Sequence, residues 1–277
     1  MKKLLLSLLL IPLLFGCQED SPVDPEGPCH ISSISYPNSS VPHSYGYAFN
    51  EREQLERINV NSVDSLGKPF SYGISLAYDS EGRLAREESN DVSWENTYDD
   101  KGFLVRQTKS VNTPSGKQTF IYLHSYHVPT GRLFLTSIHT EDMSYALSIS
   151  TYDYSQDGLY QIIKTTYAEE GELPDPSKKY VDSVYVTFDG KKNPFPALPI
   201  MSLGGHPGYV DQLPPILSAG NITRYKITRR FEFGSSFSDY FIRYNYNEEG
   251  YPIESSIVLP GDFLLPATKR IYSYSCK

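Results

Sequence analysis

The residues that could carry acid–base or metal chemistry show no spacing typical of a catalytic site. The chain has 277 residues and six histidines, of which only His124 and His127 lie close together. Successive strand residues point to opposite faces, so a three-residue separation directs these two rings apart, and we expect the histidines to be exposed strand or turn residues. His-Glu-x-x-His, Gly-x-Ser-x-Gly and phosphate-loop patterns do not occur. The sequence therefore favours a protein without catalytic residues, metal or cofactor, and a hydrolase is the least favoured alternative.

Paired acidic residues predict solvated rims. Each pair consists of sequence neighbours at a turn or strand end, where the two side chains diverge and cannot flank one glycosidic bond as a glycosidase couple does. A weak calcium site at these acids stays open, although the EF-hand pattern is absent. The single tryptophan, Trp94, is expected in the core. The pairs are Glu87-Glu88, Asp99-Asp100, Glu169-Glu170 and Glu248-Glu249.

Cys17 follows a segment with the features of an export signal. Lys2 and Lys3 precede an apolar run over residues 4–15, which is too short to span a bilayer and has the shape of a signal-peptide core. The run ends Leu14-Phe15-Gly16-Cys17, which resembles a bacterial lipobox. Residues 1–16 are thus predicted to be a signal peptide and Cys17 a lipidated (palmitate-type) N-terminus that holds the protein on a membrane; the alternative is a plain signal peptide with an incidental cysteine.

Residues 17–28 read as a flexible acidic tether. They contain several prolines and acids and no apolar periodicity. Gln18 stands where the usual inner-membrane retention signal has Asp, and the acidic cluster looks like the surface-export signal of some Gram-negative lipoproteins. We therefore expect an outer-membrane lipoprotein that faces the periplasm or the cell surface.

Cys29 and Cys276 stand at the two ends of the remaining chain. An oxidising compartment permits disulfide pairing, and such a bridge would tie the first strand to the last. Two free thiols are the alternative, because sequence alone does not fix connectivity.

The composition of residues 29–277 points to one all-β domain. The chain contains 23 Tyr and 13 Phe but only three Met, and aromatic side chains suit half-buried pleated surfaces. Its net charge of −8 becomes −10 once Lys2 and Lys3 are removed. An acidic surface argues against nucleic acid as a partner and against direct binding to anionic lipid.

A repeated turn, aromatic-Asp/Asn-x-x-Gly, organises the sequence. Tyr72, Ile74, Leu76 and Tyr78 alternate before the copy at 79–82. Aspartate suits the first position of a type I turn, and Gly82 can adopt the positive φ of a G1 bulge that sends the chain back. Turn glycines of the repeat include Gly82, Gly102, Gly131, Gly158, Gly190 and Gly250.

The repeats predict a meander of β-hairpins. So many antiparallel strands must twist, so the expected fold is a curled sheet or partial barrel, with two packed layers as the alternative. The predicted strands cover residues 44–49, 55–60, 72–78, 84–89, 93–98, 104–110, 118–127, 132–139, 146–154, 160–167, 180–188, 221–233, 240–246, 253–258 and 268–276.

Residues 191–220 interrupt this rhythm. The segment is rich in proline, which cannot sit in a central strand, yet it is also apolar. We expect it to cover an open end or face of the sheet, and a binding lid is the alternative.

The aromatic-Asp-x-x-Gly-x-Leu hairpins resemble the YD repeats of Rhs-type surface proteins. Residues 188–195, 218–222, 246–252 and 272–276 look like parts of a group of uncharacterised YD-repeat-like lipoproteins of Gram-negative bacteria. The chain departs from the repeat after Phe49, where the turn glycine is missing, and at 128–131, where no Asp follows the aromatic residue. The resemblance implies the fold and the envelope location and carries no active site.

Two function classes follow. The first is a non-catalytic surface module that binds a glycan, a protein or a small apolar ligand through an aromatic sheet face. The second is a structural or accessory envelope lipoprotein that acts through protein contacts. Exposed aromatic rings on one contiguous face would favour the first class.

Overall fold

The part of the chain that the structure describes contains seventeen β-strands and one short 3-10 helix, Pro266–Thr268. The structure is a computed structural model that describes residues 29–40, 43–64, 66–154, 160–167, 179–194, 220–261 and 263–276. No helix in these ranges is long and apolar enough to cross a membrane. The strands are β1 (His30–Ser35), β2 (Ser44–Phe49), β3 (Leu55–Val63), β4 (Pro69–Tyr78), β5 (Leu84–Glu88), β6 (Val92–Tyr98), β7 (Leu104–Thr113), β8 (Gly116–His127), β9 (Arg132–Thr140), β10 (Ala146–Tyr154), β11 (Tyr160–Thr166), β12 (Tyr180–Phe188), β13 (Ile222–Phe231), β14 (Gly234–Tyr246), β15 (Pro252–Leu259), β16 (Phe263–Leu264) and β17 (Arg270–Ser275).

The strands close into a sixteen-stranded antiparallel barrel. Each strand from β1 to β15 pairs with the next along the chain. β15 then pairs with β17 and β17 with β1, while the two-residue β16 extends the pairing of β15 beyond β17. Closure leaves the ring without an exposed edge strand.

The meander agrees with the prediction from the sequence, but the closed barrel is more specific than the predicted curled sheet or partial barrel. The predicted strands do not include β1, at the start of the domain. β1 has Ile31 and Ile34 on the inner side, three residues apart, and a bulge between Ile31 and Ser33 accounts for this spacing. The extra residue breaks the period of two by which strands are recognised. Without β1, the last strand had no partner with which to close the ring.

The two ends of the barrel differ. Cys29 and Cys276 are bonded beside the start of β1 and the end of β17, with Cα atoms 4.1 Å apart. Because all neighbours are antiparallel, the turns β2–β3, β4–β5, β6–β7 and β14–β15 lie at this same end, which we call the disulfide end. The connections β3–β4, β13–β14 and β15–β16 lie at the opposite end, which we call the distal end.

The repeated turn is a type I turn followed by a bulge, as its sequence predicts. The amide of Gly82 donates to the Asp79 carbonyl at 3.1 Å, and the amides of Glu81 and Arg83 both donate to Asp79 Oδ1 at 2.9 Å. Gly82 has φ +80°, and the register shifts between Ala77 and Tyr78. The aspartate carboxylate thus caps the turn, and the glycine supplies the conformation that reverses the chain.

Other copies share this geometry. Gly102 and Gly250 each have φ +84°, whereas Gly158 lies outside the described residues. The copy after Phe49 lacks glycine, and there Glu53 itself adopts φ +62° with its amide bonded to the Asn50 carbonyl. The departure from the repeat is therefore one of residue type and not of backbone shape.

The aromatic position of the repeat links adjacent hairpins through its hydroxyl group. Tyr78 Oη donates to the Leu55 carbonyl at 2.7 Å, and Tyr98 Oη donates to the Leu84 carbonyl at 2.8 Å. In both cases the acceptor is the first residue of a strand in the preceding hairpin. Equivalent bonds join Tyr126 to Leu104, Tyr154 to Leu133 and Tyr274 to Pro252.

Side chains fill the barrel interior in three apolar clusters. The largest unites β1–β5 and β17 around Ile31, Ile58 and Ile74. A second contains Trp94, which is buried as expected, and a third is centred on Val186, under β11–β14. The inward face of the described strands is therefore largely a packed core.

The two ends of the predicted long excursion, residues 191–220, lie next to each other. The amide of Asp189 donates to the Asn221 carbonyl, and the Asn221 amide returns a bond to Asp189 Oδ1 at 2.9 Å. An added Cβ on Gly220 would lie 2.5 Å from the Gly190 nitrogen, so only glycine fits there. Residues 195–219 lie outside the described residues, and whether they cover the sheet stays a prediction.

Candidate binding surface

The histidines within the described ranges do not form a site, and His124 differs from the expectation of an exposed ring. His127 is exposed, as expected, but His124 is buried inside the barrel between Thr136 Oγ1 at 3.0 Å and Gln107 Oε1 at 3.1 Å. Because an amide oxygen only accepts, Nε2 of His124 carries the proton and Nδ1 accepts from Thr136. Burial lowers the pKa of His124 to about 4, so this ring is a neutral structural group.

Glu87 corrects the expectation that all acid pairs are solvated. It pairs across the sheet with Leu76 and Trp94 and is buried on the inner face, while Glu88 faces outward and is exposed. The alternation of the strand separated the two carboxylates as predicted, but it turned one of them into the core. Glu169 and Glu170 lie outside the described residues.

The cysteines offer no metal site in the described parts of the chain. The grouping there with three potential ligand atoms is Cys29, Glu249 and Cys276, and both sulfur atoms belong to the disulfide. Cys17, the predicted lipidation site, lies outside the described residues.

A contiguous outward face on β12–β14 carries aromatic rings and cations. Tyr185 pairs with Lys226, Lys226 with Asp239, and Arg224 with Phe241. Directly paired residues lie on the same side of a sheet. The residues between them, such as Val186 and Tyr225, are buried in the interior cluster, so this set faces outward. We call Tyr185, Arg224, Lys226, Phe237 and Phe241 the aromatic–basic face.

The cations of this face lie against the rings. The Lys226 ammonium is 5.3 Å from the Phe237 ring centroid and 5.9 Å from that of Tyr185. The Arg224 guanidinium is 4.9 Å from the Phe241 centroid. Phe237 and Phe241 are still 59% and 37% exposed. Apolar rings and charged groups are therefore both available to a ligand at the same place.

Asp239 sets the charge balance of the face. It accepts two bonds from Arg224, at 3.0 Å from Nε and 2.7 Å from Nη2. The hydrogen bond from Arg224 holds the pKa of Asp239 below its usual range, and the same bond raises the pKa of Arg224. Asp239 compensates Arg224, while Lys226 gives the face an excess of positive charge on a chain of net charge −8.

An open pocket of about 420 Å³ adjoins the face. Phe241 belongs to both, and the opposite wall comes from the β15–β16 connection. The lining residues are Thr223, Phe241, Ile242, Arg243, Val258, Leu259, Pro260 and Gly261. Its walls are mainly apolar, with Arg243 as the charged residue.

The sequence analysis did not identify these residues. They lie on three strands, and more than thirty residues separate Tyr185 on β12 from Arg224 on β13. No local sequence motif therefore contains all of them. The alternation Phe237-x-Asp239-x-Phe241 was visible, but alternation does not tell which side of a strand faces the core. The available signal was that aromatic and charged residues share one side, which is unusual for a core face.

Comparison with known proteins identifies the fold. No family model matches the chain, and no curated protein matches it. A solved porin-like protein from Bacteroides uniformis is similar, with a TM-score of 0.58, 16% identity and coverage of 89% of this chain and 98% of that one. A porin-like protein from Bacteroides vulgatus gives a TM-score of 0.52 and 9% identity over 89% and 99% of the two chains. Similarity at these identities establishes a shared barrel fold, and the relation to YD-repeat lipoproteins stays a prediction.

Proposed function

We propose that this protein is a non-catalytic binding module of the bacterial cell envelope, and that its ligand is an anionic glycan. The exposed aromatic–basic face carries the proposal. Flat rings stack on the apolar faces of sugars, and Lys226 supplies a positive charge for a carboxylate or sulfate group. The adjoining pocket extends the contact area along β14 and β15.

The polarity of the barrel supports binding as opposed to transport. Transmembrane barrels carry an apolar band outside and a polar lumen. On β3 and β4, the outward residues are Arg57, Asn59 and Ser75, whereas Ile58 and Ile74 point into the core. The outward positions of β8–β11 are mixed, because Leu123, Leu135, Ile149 and Ile163 alternate there with Ser125, Ser137, Thr151 and Thr165. The described strands therefore present no continuous apolar belt.

We further propose that a lipid on Cys17 attaches the module to the outer membrane. The motivation is the lipobox-like sequence and the short acidic tether before Cys29. Two or more acyl chains give durable attachment, and a tether of this length would leave the barrel outside the lipid core. The porin-like fold of the similar structures is consistent with an envelope protein.

Binding to acidic and neutral glycans tests the proposal. We expect polygalacturonate or chondroitin sulfate, but not dextran, to bind at low salt. Phe241→Ala and Lys226→Ala should each weaken this binding about tenfold, or about 1.4 kcal/mol. Phe134→Ala is the matched control, since Phe134 is 44% exposed on β9, away from the face. Absence of binding to every acidic glycan, or equal affinity for all three variants, would refute the proposal.

A further inference from the structure

Large apolar side chains project from the distal end of the barrel. Phe233 is 92% exposed, Leu66 is 90% exposed and Phe263 is 64% exposed. Phe233 lies in the β13–β14 connection, Leu66 lies in the β3–β4 connection, and Phe263 is the first residue of β16. Phe231 and Leu264 are also exposed beside them. We call these five residues the distal apolar tips.

Phe233 lies in the two-residue turn that joins β13 to β14. Phe231 pairs with Gly234 as the last pair of the hairpin, so that only Glu232 and Phe233 form the turn. A two-residue connection between long paired strands is tightly constrained. The ring of Phe233 is therefore presented to solvent by a firm hairpin.

The two ends of the barrel also differ in charge. The described turns of the disulfide end are predominantly acidic, because the acids Glu51, Glu53, Asp79, Glu81, Asp99, Asp100, Asp189, Glu248 and Glu249 outnumber the cations Arg52, Arg83, Lys101, Lys191 and Lys192. In the described connections of the distal end, the acids Asp64, Asp91, Glu141, Asp142 and Glu232 are partly balanced by the cations Lys68, Lys179 and Lys269, so this end is the less acidic of the two. The apolar tips thus stand on the end that an anionic surface repels least.

We propose that the distal apolar tips dip into the surface of a lipid bilayer. Isolated apolar side chains on separate hairpins suit a broad, fluid and nearly flat partner, because each tip can enter it independently. A protein partner would instead be matched by one continuous apolar patch. Insertion at the interface gains the burial of each ring, and neighbouring Lys and Arg side chains remain at the headgroup level. This inference does not depend on the proposed glycan ligand.

Tryptophan placed at each end of the full-length protein tests the inference. Phe233→Trp puts the probe on a distal tip, and Val128→Trp puts it on a turn of the disulfide end, where Val128 is also largely exposed, at 77%. Each variant is mixed with vesicles of phosphatidylethanolamine and phosphatidylglycerol whose acyl chains are brominated. Bromine quenches the fluorescence of a tryptophan that enters the bilayer. The constant emission of the buried Trp94 is subtracted by using the unsubstituted protein.

We expect tryptophan at position 233 to shift to the blue and to lose at least half of its emission, with no change at position 128. Adding Phe231→Ser to the Phe233→Trp variant should reduce this quenching, because a neighbouring apolar contact with the bilayer is lost. Absence of quenching at position 233, as expected if the distal end binds a protein, would overturn the inference. Equal quenching at both positions would also overturn it, since the membrane attachment alone would then explain the signal.

Discussion

Gly102 provides the sharpest test of the turn geometry, because replacing it changes only the backbone conformation. Its φ is +84°, and an added Cβ would find no other heavy atom within 4 Å. Alanine there should lower the free energy of unfolding by about 1–2 kcal/mol, the cost of left-handed backbone for an L-residue. Valine should cost about 1–3 kcal/mol. For a chain of this size, 1 kcal/mol corresponds to roughly 2–4 °C in Tm.

Gly82 should be the more sensitive of the two turns. Its φ is +80°, but its Cβ would also lie 3.2 Å from Gln54 Nε2, which donates to the Gly82 carbonyl at 3.0 Å. Displacing that amide adds the loss of one hydrogen bond, about 0.5–1.5 kcal/mol. The structure thus predicts a larger loss for Gly82→Ala than for Gly102→Ala.

Two controls separate turn strain from general fragility. Gly46 lies within β2, where an added Cβ would be 3.9 Å from the nearest atom, Asn59 Cβ, so Gly46→Ala should leave Tm unchanged or slightly higher. Lys101→Ala changes the residue before Gly102. The φ of Lys101 is not positive, so this substitution adds no strain to the backbone. Thermal melts of the four alanine variants decide the matter. Equal losses at Gly46, Lys101 and Gly102 would refute the bulged-turn assignment.

Four further predictions address single groups. Glu53→Gly should stabilise the protein by about 1 kcal/mol, since glycine relieves the φ of +62°; Glu53→Ala should not, and equal melting of the two variants would contradict this reasoning. Burial lowers the pKa of His124 to about 4 in the folded protein, so as the pH falls below about 6.5 this ring is protonated in the unfolded chain before it is protonated in the folded one. The free energy of unfolding should therefore drop by about 3 kcal/mol between about pH 6.5 and 4. His124→Gln should flatten that part of a plot of Tm against pH, and an unchanged slope would contradict this prediction. Cys17→Ser should give an unprocessed precursor without acyl chains, detected by mass spectrometry and detergent partition, and normal partition would exclude lipidation. Replacing Cys29 and Cys276 by serine should cost about 5 kcal/mol, because the bridge closes a loop with a sequence separation of 247; alkylation of both thiols without reductant in the unsubstituted protein would show that the bond is absent.

The sequence by itself determined the hairpins. Alternating residues and the Asp-x-x-Gly turns act within a few residues of one another, so their physics is contained in short segments. The bounds of β2, β10 and β12 agree with the predicted ranges 44–49, 146–154 and 180–188. The turn after Phe49 shows that this local code tolerates substitution, because Glu53 adopts the conformation that glycine supplies elsewhere.

Only the tertiary structure decided closure and the inward side of each strand. β1 and β17 pair across nearly the whole domain, and no local pattern reports such a contact, least of all when a bulge disturbs β1. The burial of His124 and Glu87 and the exposure of Phe241 depend on which side faces the core. Alternation alone leaves that choice open, because a strand has two equivalent sides until its neighbours enclose one of them.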